Sequence, residues 1–136
     1  MIYGIGTDIV KISRMEAALA RHGERFAHRI LAATEWDDFG RTGRPAALLA
    51  KRFAAKEAAA KAFGTGFSAG LGLHDIAVDH DRRGRPRLIF SGKAEEFCRR
   101  RGIGRSLISL ADEKDYAIAF VTLLFASDRQ AATGGV

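Results

Sequence analysis

Cysteine is almost missing from this chain. Cys98 is the sole thiol among 136 residues, which excludes an internal disulfide and makes a cysteine-built metal centre untenable. Long apolar runs are missing too, and none approaches the roughly 20 residues a helix needs to cross a bilayer. The opening stretch, MIYGIGTDIV, has no basic start, no long apolar centre and no small-residue cleavage site. The expectation is therefore a cytoplasmic chain with no signal peptide and no membrane contact. Histidines at 22, 74 and 80 lack the spacing of a metal site, and the sequence contains no internal repeat or linker. Two glycine signatures also fall short. GIGTDIV offers Gly4 and Gly6 but has Ile9 where a dinucleotide fingerprint needs a third glycine, and GTGFSAGLG lacks the Lys and Ser or Thr that complete a phosphate loop.

What is present fits a single domain. The chain is 47% hydrophobic, enough for a modest core, and carries a net charge of +6 with a pI near 10.0. Such a charge attracts nucleic acid, an acidic protein or a phosphorylated small molecule. A nucleic-acid module would interleave basic residues with exposed aromatics. Here the basic clusters, at 82–87 and 99–105, are short and most aromatics fall in apolar patterns, so that reading is set behind the others.

Residues 2–10 read as a strand in which Gly4 and Gly6 leave room for another backbone. Ser13, with Glu16 three residues on, reads as the cap of a helix over 14–32. Its apolar stripe is Met15, Leu19, Phe26 and Ile30; Arg14, Arg21 and Arg25 form a second stripe, with His28 and Arg29 on its margins. That stripe is either a solvated face or a docking surface for an acidic partner. Thr34 is placed to cap a short helix through EWDDF. Pro45 suits the first turn of a helix that runs to Phe63 and stops at Gly64. The second half predicts a hairpin with strands near 74–79 and 86–90, a helix from Ser91 to about 101, and two strands around a turn at 112–115. The unbroken apolar run from Ala117 to Phe125 suggests a strand covered on both faces. The pattern is α+β: a mixed α/β single domain over 1–126 with antiparallel strands packed on a long central helix, followed by a loose tail at 127–136.

The chemistry-bearing residues concentrate in two places. Asp8 interrupts an apolar strand, where a lone carboxylate either faces outward, caps the next helix or holds a ligand. Glu57 and Lys61 stand one turn apart in the alanine-rich helix, which fits an ordinary helix pair as well as an active site. Its apolar arc of Leu49, Phe53, Ala60 and Phe63 also contains Arg52 and Lys56. Those cations snorkel, line a polar cleft or lie at a subunit interface. If Asp8 and Glu57 converge, two hard carboxylates suit Mg²⁺. Lys61 would then lie beside a phosphate as a point charge. The Gly64-Thr65-Gly66 corner would let backbone N–H groups approach the same anion.

The stretches GIGTDIVKISRMEAAL, LAKRFAAKEAAAKAFGTG, GRPRL and ISLADEKDYAIAFV together resemble the holo-acyl-carrier-protein synthases, the short 4′-phosphopantetheinyl transferases. The likeness extends to about residue 125. It implies transfer of the phosphopantetheine arm of coenzyme A to a serine of an acidic apo acyl carrier protein, with release of adenosine 3′,5′-bisphosphate, in fatty acid biosynthesis. It implies Mg²⁺ on Asp8 and Glu57, with Lys61 at the pyrophosphate. It further implies a homotrimer with coenzyme A between subunits, and carrier docking through Arg14, Arg21 and Arg25. Many family members have a histidine before the last strand where this chain has Asp112. The expectation is that arginines take over phosphate contacts there, Arg52 first. A rival reading is a catalytically idle homologue that only binds coenzyme A or the carrier; intact Asp8, Glu57 and Lys61 argue against it.

Overall fold

A computed structural model describes residues 1–68 and 70–127. The tail expected over 127–136 thus lies, except for Ser127, outside the described residues. The first strand, β1 (Ile2–Lys11), alternates cleanly. Gly4, Gly6, Asp8 and Val10 face one way and Ile5, Thr7 and Ile9 the other. Strands β4 (Ile103–Asp112) and β5 (Tyr116–Phe125) close the chain. With β1 they form an antiparallel sheet in the order β1-β5-β4. Strands β2 (Ile76–His80) and β3 (Pro86–Phe90) form a separate hairpin.

The inner face of the three-stranded sheet lies on the central helix α4 (Pro45–Phe63). Alanine density makes the close fit possible: Ala50, Ala54, Ala55, Ala58 and Ala59 are fully buried. The glycines of β1 complete it. A Cβ on Gly4 would overlap the carbonyl of Ala62, and one on Gly6 the carbonyl of Ala58. Both ends of α4 obey local rules, with Pro45 in its first turn and Gly64 at φ 88° closing it.

Other local expectations are corrected. The helix drawn over 14–32 is two, α1 (Ile12–His22) and α2 (Glu24–Ile30), because Gly23 takes φ 63° between them. Ser13 does not cap α1; the helix begins at Ile12, whose N–H donates to the Asp115 carbonyl. Nor does Thr34 cap a helix. It lies inside a 3₁₀ turn, Ala33–Glu35, ahead of α3 (Trp36–Arg41), and Glu35 holds the turn by accepting from the Ala32 N–H. Helix α5 (Gly92–Arg101) matches its expectation. Strand β5 does not, because only Ala117, Ala119, Val121 and Leu123 point into the core. Ile118 and Phe120 are 42% and 45% exposed on the opposite face.

Candidate active site

Three of the residues singled out in the sequence meet where β1 crosses α4. Period two turns Asp8 to the helix side of the sheet, directly after the glycines that let the two backbones close up. Lys61 Nζ donates to Asp8 Oδ1 at 3.1 Å and to the Thr7 carbonyl at 3.1 Å. Glu57, one turn earlier, lies near enough that the Asp8 charge disfavours its ionisation. Burial, then Asp8, push the Glu57 carboxyl above its ordinary value of 4.5, and Lys61 only partly opposes them. Among the described residues no ion pair joins Glu57 to Lys61, so the simple helix pair does not form. Lys61 reaches across to the strand instead and stays half exposed, while Asp8 is 17% exposed.

Two carboxylates near each other, with one lysine bound to Asp8, leave an excess negative charge that a divalent cation would relieve. Their oxygens are of the hard kind that Mg²⁺ prefers. The donor set therefore fits that ion, and Asp8 and Glu57 are the residues able to hold it.

The glycine corner is less open than the sequence suggests. Gly64 N–H donates to the Lys61 carbonyl and Gly66 N–H to the Ala60 carbonyl, at 2.9 and 3.1 Å. Both amides thus finish the helix. Of the three, only the Thr65 N–H has no protein acceptor among the described residues. The Thr65 hydroxyl donates to the Gly66 carbonyl.

Arg52 is placed elsewhere, on the side of α4 away from this cluster. Its guanidinium bonds Glu35 at 3.2 Å and Asp38 at 3.0 Å, and only 4% of the residue is exposed. Lys56, one turn on, is wholly buried and bonds Glu35 Oε1 at 2.6 Å. The two cations in the apolar arc of α4 are therefore paired to acids inside the chain: Lys56 is sealed off, while Arg52, though almost wholly buried, forms part of the wall of a cleft. Sequence reasoning overlooks Glu35, the last residue of a 3₁₀ turn just ahead of a short helix, with nothing local to mark it as buried.

A cleft of about 320 Å³ opens beside Arg52 and is lined also by Arg44, Lys51, His80 and Asp112. Asp112 pairs with Lys51 at 3.4 Å and Arg44 at 3.6 Å. Asp112 thus sets one negative charge between two cations of this cleft. Arg14 and Arg21 on α1 and Arg25 on α2 are all exposed and form no ion pair among the described residues. Arg25 borders a second cleft with His22, Phe26 and Arg29.

Known proteins resemble this chain over nearly its whole length. A protein-family model described as the 4′-phosphopantetheinyl transferase superfamily matches residues 4–121. A holo-[acyl-carrier-protein] synthase of Nitrosococcus oceani is 57% identical over 136 residues, covering all of this chain and 87% of that protein. The crystal structure of a holo-[acyl-carrier-protein] synthase from Neisseria meningitidis superposes with a TM-score of 0.86 at 42% identity, covering 91% of this chain and 99% of the other. A synthase from Bacillus anthracis, solved in complex with CoA (3′,5′-ADP), superposes at 0.77 with 35% identity, over 93% of this chain and 99% of that one.

Proposed function

The chain belongs to the 4′-phosphopantetheinyl transferase superfamily, and from that premise we propose that its chemistry runs through Asp8, Glu57 and Lys61. It is a holo-acyl-carrier-protein synthase: it moves the phosphopantetheine arm of coenzyme A to apo acyl carrier protein. The finer assignments rest on the site. Asp8 and Glu57 would hold Mg²⁺, which when bound offsets the negative charge of the coenzyme diphosphate. Lys61, fixed by Asp8 and the Thr7 carbonyl, presents its remaining N–H toward that anion. The Thr65 N–H, without an acceptor among the described residues, adds one neutral donor at the same corner. Glu57 is also the carboxylate available to the proton of the attacking serine. Adenosine 3′,5′-bisphosphate leaves.

The observation that carries this reading is that Asp8 of β1 and Glu57 of α4 come near enough to feel each other's charge, with Lys61 bound to Asp8. Arg52 is the weakest of the expected phosphate contacts, since Glu35 and Asp38 already hold its guanidinium. Arg44 and Lys51, paired to an Asp112 that is 22% exposed, are better placed to turn toward a phosphate at that cleft. Arg14, Arg21 and Arg25 would dock the acidic carrier. The outer sheet face supports a homotrimer with sites at its interfaces, because Ile5, Ile9, Leu107, Ile118 and Phe120 leave it apolar and open in the single chain. Residues 1–126 would form one transferase domain, working in the cytoplasm in fatty acid biosynthesis.

The test is intact mass spectrometry of apo carrier protein incubated with coenzyme A, Mg²⁺ and the enzyme. The carrier should gain one phosphopantetheine arm with the parent chain and none with Asp8→Asn/Glu57→Gln. An unmodified carrier with the parent chain would point to the idle homologue, and full modification by the double variant would remove the carboxylates from the mechanism.

A further inference from the structure

Lys56 is fully buried and lies outside the catalytic cluster, yet it is neighbour in sequence to Glu57. Its ammonium has three partners: Glu35 Oε1, the Leu73 carbonyl at 3.1 Å and the Ile76 carbonyl. Glu35 is equally occupied. Oε1 also accepts from the Ala32 N–H at 2.9 Å, and Oε2 accepts from Arg52 at 3.2 Å and from the Val78 N–H at 3.2 Å. Ions this deeply buried are tolerated only when every proton and lone pair finds a partner, and those of Lys56 and Glu35 do.

The placement of these partners gives the pair a job. Helix α4 ends at Phe63, and the chain then runs through the Gly64-Thr65-Gly66 corner before returning to the body of the protein at Leu73–Asp75 and β2. Lys56 sits two turns before the end of α4 and grips that return at Leu73 and Ile76. Glu35 grips β2 one step further on, at Val78. The segment carrying Thr65 is thus closed at both ends by α4 itself: by the capping bonds at Gly64 and Gly66, and by the Lys56 ammonium at its base. Gly72 N–H donating to Asp75 Oδ2 at 2.9 Å adds a smaller hitch inside that base. On the other side of α4, Ala58 and Ala62 lie against the β1 glycines. The helix is therefore fixed in rotation from two directions, with Glu57 and Lys61 between them.

We infer that Lys56, together with Glu35, is a positioning residue: it ties the return of the 64–72 segment to α4 and so holds the Thr65 corner against the coenzyme side of the site. The role of that corner rests on the function proposed above, whereas the tie itself does not.

The experiment compares the full-length parent with Lys56→Met/Glu35→Gln, which removes one charge of each sign and keeps side-chain volume nearly constant. Two quantities are read: hydrogen exchange of peptides covering 64–76, and steady-state kinetics. Exchange in 64–76 is expected to speed up at least tenfold, with peptides from β1, β4 and β5 unchanged. KM for coenzyme A is expected to rise about tenfold, with KM for carrier protein unchanged. Equal acceleration everywhere, or no acceleration in 64–76, would reduce the pair to general stability and overturn the inference. Faster exchange without transferase activity in the parent would sink the proposed function and leave the tie standing. If the double variant does not fold, native-state exchange of the parent decides. The Val78 amide must then open together with α4; opening at the faster rate of the β2–β3 hairpin tip would contradict the tie.

Discussion

Glu57 is held in an unfavourable state, and that has a measurable sign. Burial and the nearby Asp8 raise its carboxyl above 4.5 in the folded chain. Between 4.5 and the folded value the native state binds more protons than the unfolded one, so stability falls as pH rises through that window. Glu57→Gln removes the penalty. In metal-free buffer its melting temperature should lie at or above that of the parent at pH 7, and the gap should close below pH 4.5. Its transfer rate at pH 7 should drop by orders of magnitude. A thermal scan across pH, paired with a rate measurement, checks both parts; a variant that melts well below the parent at pH 7 would show that the carboxylate stabilises the fold. This is the usual conflict between a working site and stability.

Helix α4 and strand β1 place the cluster, and their contact is the least forgiving in the fold. Gly6→Ala would drive a methyl into the Ala58 carbonyl, which cannot move without shifting the helix. Overpacking of this kind costs about 1–3 kcal/mol, read as a lower urea midpoint, and it should also weaken transfer by separating Asp8 from Glu57. Helices α1 and α2 carry the other prediction. Reversing charge at Arg14, Arg21 and Arg25 should raise KM for carrier protein at least tenfold at low salt while leaving KM for coenzyme A alone, with the gap narrowing at high salt. Equal KM values for carrier would detach these arginines from docking. Much at this level is legible in the sequence. Pro45 and Gly64 act on their own neighbours, so local rules find α4, while the β1 glycines announce a close backbone approach without saying that Ala58 and Ala62 make it. The break at Gly23 escapes them because the apolar stripe of Met15, Leu19, Phe26 and Ile30 continues across it and hides the turn. Ser13 and Thr34 have the chemistry of caps, but the Asp115 carbonyl and the Glu35 carboxylate take the amides at those places.

In the molecule as a whole, the unread parts of the sequence are those whose partners lie far along the chain. Glu35 meets Arg52 and Lys56 at separations of 17 and 21 residues. Nothing near any of the three marks them as a buried ionic group. The carboxylate pair is readable only as a possibility, since Asp8 and Glu57 become neighbours through the packing of β1 on α4. The family likeness supplies that step ahead of the geometry. The continuous run in β5 misleads for a related reason. Its outward residues, Ile118 and Phe120, are apolar yet uncovered in one chain, as expected of a strand that finds its second cover in another copy. Ile118→Lys/Phe120→Glu should shift gel filtration from trimer to monomer and abolish transfer with the fold intact by circular dichroism. A parent that elutes as a monomer would refute the assembly.

Everything in the proposed chemistry requires that Asp8 and Glu57 act as one divalent-cation site. Calorimetric titration of Mg²⁺ into the enzyme saturated with coenzyme A, for the parent and for Asp8→Asn/Glu57→Gln, puts this to the test. One binding event per chain in the parent, lost in the double amide, is the expected result. Equal Mg²⁺ binding by both proteins would contradict it.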